Sequence, residues 1–314
     1  MANESVFDIG LNRRRWLISA ALLGLGASQA EKAATSEGDV DSVLRLAKKA
    51  GLKNFGTSTR EKGRYVAVGD ASEAFRERAL TICEALAETF QKHFAAKGFM
   101  VSFPKRKLLI VTLAGPKSYE TLIGEPVEID EGGHYDVDAK RLVVFDFRGE
   151  HGRAGRNAER TNSFTLVHEA IHQLSFTTGL LESGSDVPLA LSEGLATYGE
   201  LSPIAKPAIG RVNVFRLEEL KRPREGLEWI PLEKLLTDDS LFSEAESQQL
   251  AYAEAWLFVY ELLQKKGTTR KLQAYLDLVR TRRDPGKRLE DARAALGDLD
   301  ELDNQLKRRG NLLR

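Results

Sequence analysis

Residues 164–174 read Phe-Thr-Leu-Val-His-Glu-Ala-Ile-His-Gln-Leu, and this segment constrains the fold more than any other. Its apolar residues Leu166, Val167, Ala170, Ile171 and Leu174 lie on most sides of a helix, and a helix apolar all round is buried. The same turns carry His168, Glu169 and His172. Buried imidazoles and carboxylates without partners cost several kcal/mol, so the fold must supply partners. Positions four apart on a helix lie one turn up and about 40° round. Both imidazoles of His168-Glu169-x-x-His172 can therefore face one point. Two neutral imidazole nitrogens about 2 Å from a common centre suit Zn²⁺. Glu169 projects about 100° round from His168, within reach of a water at the ion and away from the ion itself. That is the place for a general base.

A third ligand comes from Leu191-Ser192-Glu193-Gly194-Leu195-Ala196-Thr197-Tyr198-Gly199-Glu200. A carboxylate from a second helix packed on the first completes three protein ligands and leaves a fourth position open. Small Gly194 and Ala196 are expected to let the two helices approach until Glu193 reaches the ion.

The pattern resembles the gluzincin clan of zinc metallopeptidases, in particular the zinc aminopeptidases, where HExxHQ is followed by a helix reading N-E-G-F-A-x-Y-x-E. His168, Glu169, His172 and Gln173 match the first part. Glu193, Gly194, Ala196, Tyr198 and Glu200 match the second, with Ser192 in place of Asn and Leu195 in place of Phe. It is also similar to predicted secreted bacterial proteases of unassigned substrate that share HExxH…EGLA. The likeness covers roughly residues 140–265.

The resemblance implies zinc on His168, His172 and Glu193, Glu169 as base, and hydrolysis of a peptide or protein substrate. It also implies an oxyanion donor from a later helix, a place that Tyr252 takes in Tyr252-Ala253-Glu254-Ala255. Tyr252, Trp256, Val259 and Leu263 share a face, so a core role for Tyr252 stands beside the catalytic one. The interval from His172 to Glu193 is slightly longer than in the aminopeptidases, and their G-x-M-E-N segment is absent, which leaves endo- and exo-cleavage both open. Arg141–Phe147 stands where those enzymes keep a substrate-pairing edge strand. The rival reading is a degenerate relative whose zinc serves as a structural clamp or interaction module.

Composition narrows the partners. The chain has 314 residues, with 46 basic and 46 acidic side chains, and no excess positive charge exists to hold nucleic acid or an anionic membrane. Its one cysteine, Cys83, excludes an internal disulfide framework and reads as a buried small hydrophobe. Residues 1–30 read as an export signal: Arg13-Arg14-Arg15, an apolar run from Trp16 to Gly26, then Ala27-Ser28-Gln29-Ala30. The paired arginines resemble a twin-arginine signal. The apolar run is about half the ~20 residues that span a bilayer. The expected destination is periplasmic or extracellular, with no stable membrane insertion after cleavage; the oligomeric state is left open.

The fold class expected is α+β. Residues 31–62 read as linker or short helix, 63–160 as a sheet-containing part, and 161–314 as a helical part, with the metal helix at the junction. Strands are expected at Arg64–Val68, Lys107–Leu113 and in a hairpin of Gly133–Val137 and Arg141–Phe147. Helices are expected at 73–97, 163–176, 188–200, 214–222, 243–265 (led by a Ser243/Glu246 capping box), 268–281 and 286–308. Residues 149–163 read as a mobile glycine-rich loop. Among lesser candidates, Thr197 and Glu200 could support a ligand imidazole. His134 and His151 read as surface residues able to replace a ligand, and His93 as structural.

Overall fold

A computed structural model describes residues 40–127, 132–148, 156–203, 206–222 and 229–313. The chain is α+β: a five-stranded mixed sheet formed by the N-terminal part, and a helical C-terminal part. Helix α1 (Val40–Lys49) and strand β1 (Gly56–Thr59) lead into β2 (Tyr65–Gly69). Next come α2 (Glu73–Ala96), β3 (Leu108–Leu113), α3 (Pro116–Ile123), β4 (Gly133–Asp136) and β5 (Arg141–Phe145). The sheet order is β1-β2-β3-β5-β4; β1 and β4 run antiparallel to their neighbours, and the inner strands are parallel.

Alternation along the strands sorts side chains between two covered faces. Leu108 and Ile110 of β3, with Leu142 and Val144 of β5, point into the larger core beneath α2. Leu109, Val111 and Leu113, with Val143 and Phe145, point to the other face, where Val43 of α1 and Tyr119 of α3 cover them. Helix α2 begins as its sequence predicts, with the Ser72 hydroxyl accepting from Phe75 N. Cys83 lies fully buried on that helix, and burial pushes its thiol up.

The helical part comprises α4 (Arg156–Thr177), α5 (Leu189–Gly199), α6 (Val214–Lys221), α7 (Leu232–Thr237), α8 (Gln248–Leu262), α9 (Lys266–Thr281), α10 (Arg288–Leu296) and α11 (Leu299–Leu312). Helix α4 lies against α2, β4 and β5 on one side and α5 on the other; α5 in turn packs most extensively on α8. Every residue of α5 is buried, so Glu193 is carried inside the molecule on a helix held from both sides. The loop before α5 is tied down by charge. Asp186 pairs with Arg282 and Arg288, Arg288 also reaches Asp239, and Asp239 accepts from Leu189 N.

Several expectations are corrected. Residues 56–59, read as linker, form the edge strand β1. The segment after Gly115-Pro116, given no element from the sequence, is the short helix α3, with Pro116 at its first position and Gly124 in the left-handed conformation at its end. Helix α4 starts at Arg156, inside the expected 149–163 loop, because polar helix formers extend an anchored helix without apolar periodicity. His151 lies outside the described residues, as does the export signal of residues 1–30. Ser243 and Glu246 do not form a capping box for α8: Ser243 closes a 3-10 turn at Asp239–Phe242, and α8 begins at Gln248. The expected helix over 286–308 breaks at Gly297 (φ 90°), after which Asp298 caps α11 through Glu301 N. Among the described residues no helix is long and apolar enough to cross a membrane.

Strand β5 is not an edge. It pairs with β3 on one side and β4 on the other, so the sheet edge expected at Arg141–Phe147 is formed by β4 instead. The amide of Phe145 donates to Gly132 O. In the antiparallel register, bonded pairs alternate with non-bonded ones, so the N–H and C=O groups of Gly133 and Tyr135 face away from β5.

The two glycines of α5 set its depth. A Cβ on Gly194 would lie 2.6 Å from Ala255 O and 2.7 Å from Val259 Cγ2, both on α8. A Cβ on Gly199 would lie 2.7 Å from Ile171 Cδ1 on α4. The close approach that Gly194 was expected to give toward α4 is thus toward α8; Gly199 serves the α4 side. Gly194→Ala is expected to destabilise the chain by about 1–3 kcal/mol, because the clash is with backbone. Urea denaturation checks this.

Candidate metal centre

His168 and His172 are completely buried, and Glu169 and Glu193 are 1% exposed. Gln173, next on α4, donates from Nε2 to Leu109 O at 3.0 Å and fixes the rotation of the helix against β3. With α4 so held, the His168 and His172 Nε2 atoms lie 3.1 Å apart. Glu193 on α5 brings Oε2 to 3.2 Å from His168 Nε2 and Oε1 to 3.4 Å from His172 Nε2. These three residues form a group able to hold a metal ion.

The donor set fits a divalent ion. Three ligands bound tetrahedrally at 2.0–2.1 Å stand about 3.3 Å from one another, the spacing seen here. The second nitrogen of His168 is committed: Nδ1 lies 2.8 Å from Glu200 Oε2. A neutral His168 donating there presents a lone pair at Nε2, aimed at a carboxylate and another imidazole. A cation among them turns that convergence of acceptors into attraction. Burial alone would raise the Glu193 carboxyl, yet the charge and hydrogen bonds that His172 and His168 offer it when protonated hold it well below its usual range.

Glu200 is surrounded by donors. Arg216 Nε reaches Oε1 at 2.9 Å, Arg216 Nη2 reaches Oε2 at 3.2 Å, and Asn213 Nδ2 reaches Oε1 at 2.6 Å. Burial pushes this carboxyl up, but Arg216 and His168 outweigh it and hold it at about 2. Glu200 thus stands directly behind the His168 imidazole. Thr197 instead bonds back to Glu193 O and Gly194 O of its own helix.

Glu169 turns toward the sheet. Its Oε2 accepts from Tyr135 N at 3.0 Å, on the outer side of β4, and the Tyr135 ring stacks on Phe176 of α4 with centroids 6.0 Å apart. His134 points to the opposite face and bonds Tyr119, so it does not replace a ligand. His93 meets the Tyr198 hydroxyl at 3.0 Å, and burial lowers it to about 4; its contacts are structural, as expected. Tyr252 is buried against Phe242, with the Arg216 guanidinium 5.1 Å over its ring.

A family model described as a protein of unknown function, DUF1570, matches residues 162–285. The match holds α5 and α4 from Asn162 onward. It includes His168, Glu169, His172, Glu193, Glu200, Arg216 and Tyr252, and ends before α10, while all five strands lie outside it. No curated protein matches the chain.

Sequence reading missed Arg216, Asn213 and the Tyr135 amide. Arg216 shares a helix face with Leu220, four residues on, and Asn213 is the cap of α6. Neither position belongs to a motif. The Tyr135 amide carries no side-chain signal at all, since its direction follows from strand register.

Proposed function

We propose that the chain is a zinc-dependent metallopeptidase of gluzincin type, with His168, His172 and Glu193 as ligands. The observation that carries this reading is the buried triangle of three acceptor groups, with His168 fixed from behind by Glu200. Zinc bound there would bring a water ligand toward a pKa of about 7 and polarise a carbonyl oxygen.

The chain's own groups do the rest. Glu169, held through Oε2 by Tyr135 N–H, takes a proton from the attacking water and delivers it to the leaving amine. The outward groups of Gly133 and the Tyr135 carbonyl on β4 offer an extended peptide a strand to pair with, the Tyr135 N–H being kept by Glu169. Tyr252 donates its hydroxyl to the carbonyl oxygen as charge develops. Residues 1–30 export the protein, so the substrates are peptides or proteins outside the cytoplasm.

The test is incubation of the zinc-loaded mature chain with a mixed peptide library, with cut sites read by mass spectrometry. Defined cleavages that vanish with a chelator and return with zinc support a peptidase. A fully zinc-loaded chain that cuts nothing reduces the centre to a structural clamp. Tyr252→Phe separates donor from packing: kcat is expected to fall about 10²–10³-fold, as for single oxyanion donors. The thermal midpoint should hold, because the ring beneath Arg216 is kept.

A further inference from the structure

The Arg216 side chain is 6% exposed and joins three elements at one point. From α6 it forks onto both oxygens of Glu200. Its Nη1 reaches Gln249 Oε1 on α8 at 3.5 Å, and its plane lies over Tyr252 of the same helix. Asn213 does two jobs: its Oδ1 accepts from Arg216 N, and its Nδ2 bonds Glu200 Oε1 and Thr197 O. Glu200 thus receives four donors from three residues, and the fourth is His168 Nδ1.

A buried ion pair adds little net stability compared with apolar residues of the same size. What a two-pronged guanidinium adds is geometry: it fixes the plane of the carboxylate it holds. The plane of Glu200 in turn sets the tilt of the His168 ring, and the tilt sets where Nε2 points.

We infer that Arg216, assisted by Asn213, is a positioning residue for the metal centre: it locks Glu200, and through it the His168 ring, in the orientation that aims Nε2 at the ion. This rests on the metal-binding part of the function proposed above. Outer partners of metal ligands change affinity by about 10–100-fold when lost. Arg216 acts one step further out, but through the carboxylate that meets His168 Nδ1 at 2.8 Å.

The test is competition with a chromophoric zinc chelator at one fixed pH, using the full chain, with the thermal midpoint of each metal-free form measured alongside. Arg216→Met is expected to weaken zinc binding by about 10–100-fold. Arg216→Lys, which restores charge without the fork, is expected to recover only part of the loss. Asn213→Ser keeps a helix-capping oxygen and removes the amide donor, and its loss is expected to be smaller. The visible absorption of the cobalt-loaded variants should change as the ring tilts, which a merely structural role would not produce.

If Arg216→Met folds and binds zinc with wild-type affinity, the positioning role is overturned. If Arg216→Met does not fold, wild-type affinity in both Arg216→Lys and Asn213→Ser overturns it. A wild-type chain that binds no zinc would instead remove the metal reading itself.

Discussion

Glu169→Gln is expected to reduce kcat for peptide cleavage by about 10²–10⁴-fold, the range that a positioned acid–base group contributes. At about 1.4 kcal/mol per decade, this is about 3–5 kcal/mol of lost transition-state stabilisation. The variant is informative because of what it keeps. Gln is the same size, and its amide oxygen can still accept from Tyr135 N–H, the bond that holds Glu169 at 3.0 Å. Zinc content and thermal midpoint should therefore stay near wild type while turnover falls. Only the capacity to take a proton is removed. An unchanged kcat would strip Glu169 of its role as base.

Stripping the metal is expected to produce the second large effect, on stability. Without a cation, the buried Nε2 atoms of His168 and His172 and the carboxylate of Glu193 stand 3.1–3.4 Å apart. They must then share protons or separate. A ligand that binds only the folded chain stabilises it by about 4 kcal/mol at a thousandfold excess over its Kd. Zinc should accordingly raise the thermal midpoint by several degrees in a concentration-dependent way, and chelation should reverse it. His172→Ala should lose most of that gain while its metal-free midpoint shifts far less. A midpoint indifferent to zinc and chelator in the wild type would contradict the account.

Much of this site was legible because its chemistry is local. His168 and His172 are brought together by helical pitch alone, and Glu193 was marked by the company it keeps in Glu193-Gly194-Leu195-Ala196. What sequence could not give is set by long-range packing. Gly194 is small for the sake of α8, not α4, because α5 is sandwiched between them. Arg141–Phe147 looked like a substrate-pairing edge, but within it four buried residues of the five in Arg141–Phe145 mark a strand covered on both sides, and the edge fell to the shorter β4. The helix expected across 286–308 kept its periodicity in sequence but not in space, since Gly297 and Asp298 supply a stop and a new cap. Arg216 was invisible for another reason: a buried cation is recognisable only once its carboxylate is found.

Two imidazoles from one helix and a carboxylate from the next are proposed to hold one divalent ion. X-ray absorption of the purified, zinc-supplemented chain tests it most directly. The expected result is about one zinc per chain, with two imidazole nitrogens at about 2.0–2.1 Å and a carboxylate oxygen at about 2.0–2.2 Å, the latter lost in Glu193→Ala. Less than about a tenth of an equivalent of zinc, or a zinc shell identical in Glu193→Ala, would contradict it.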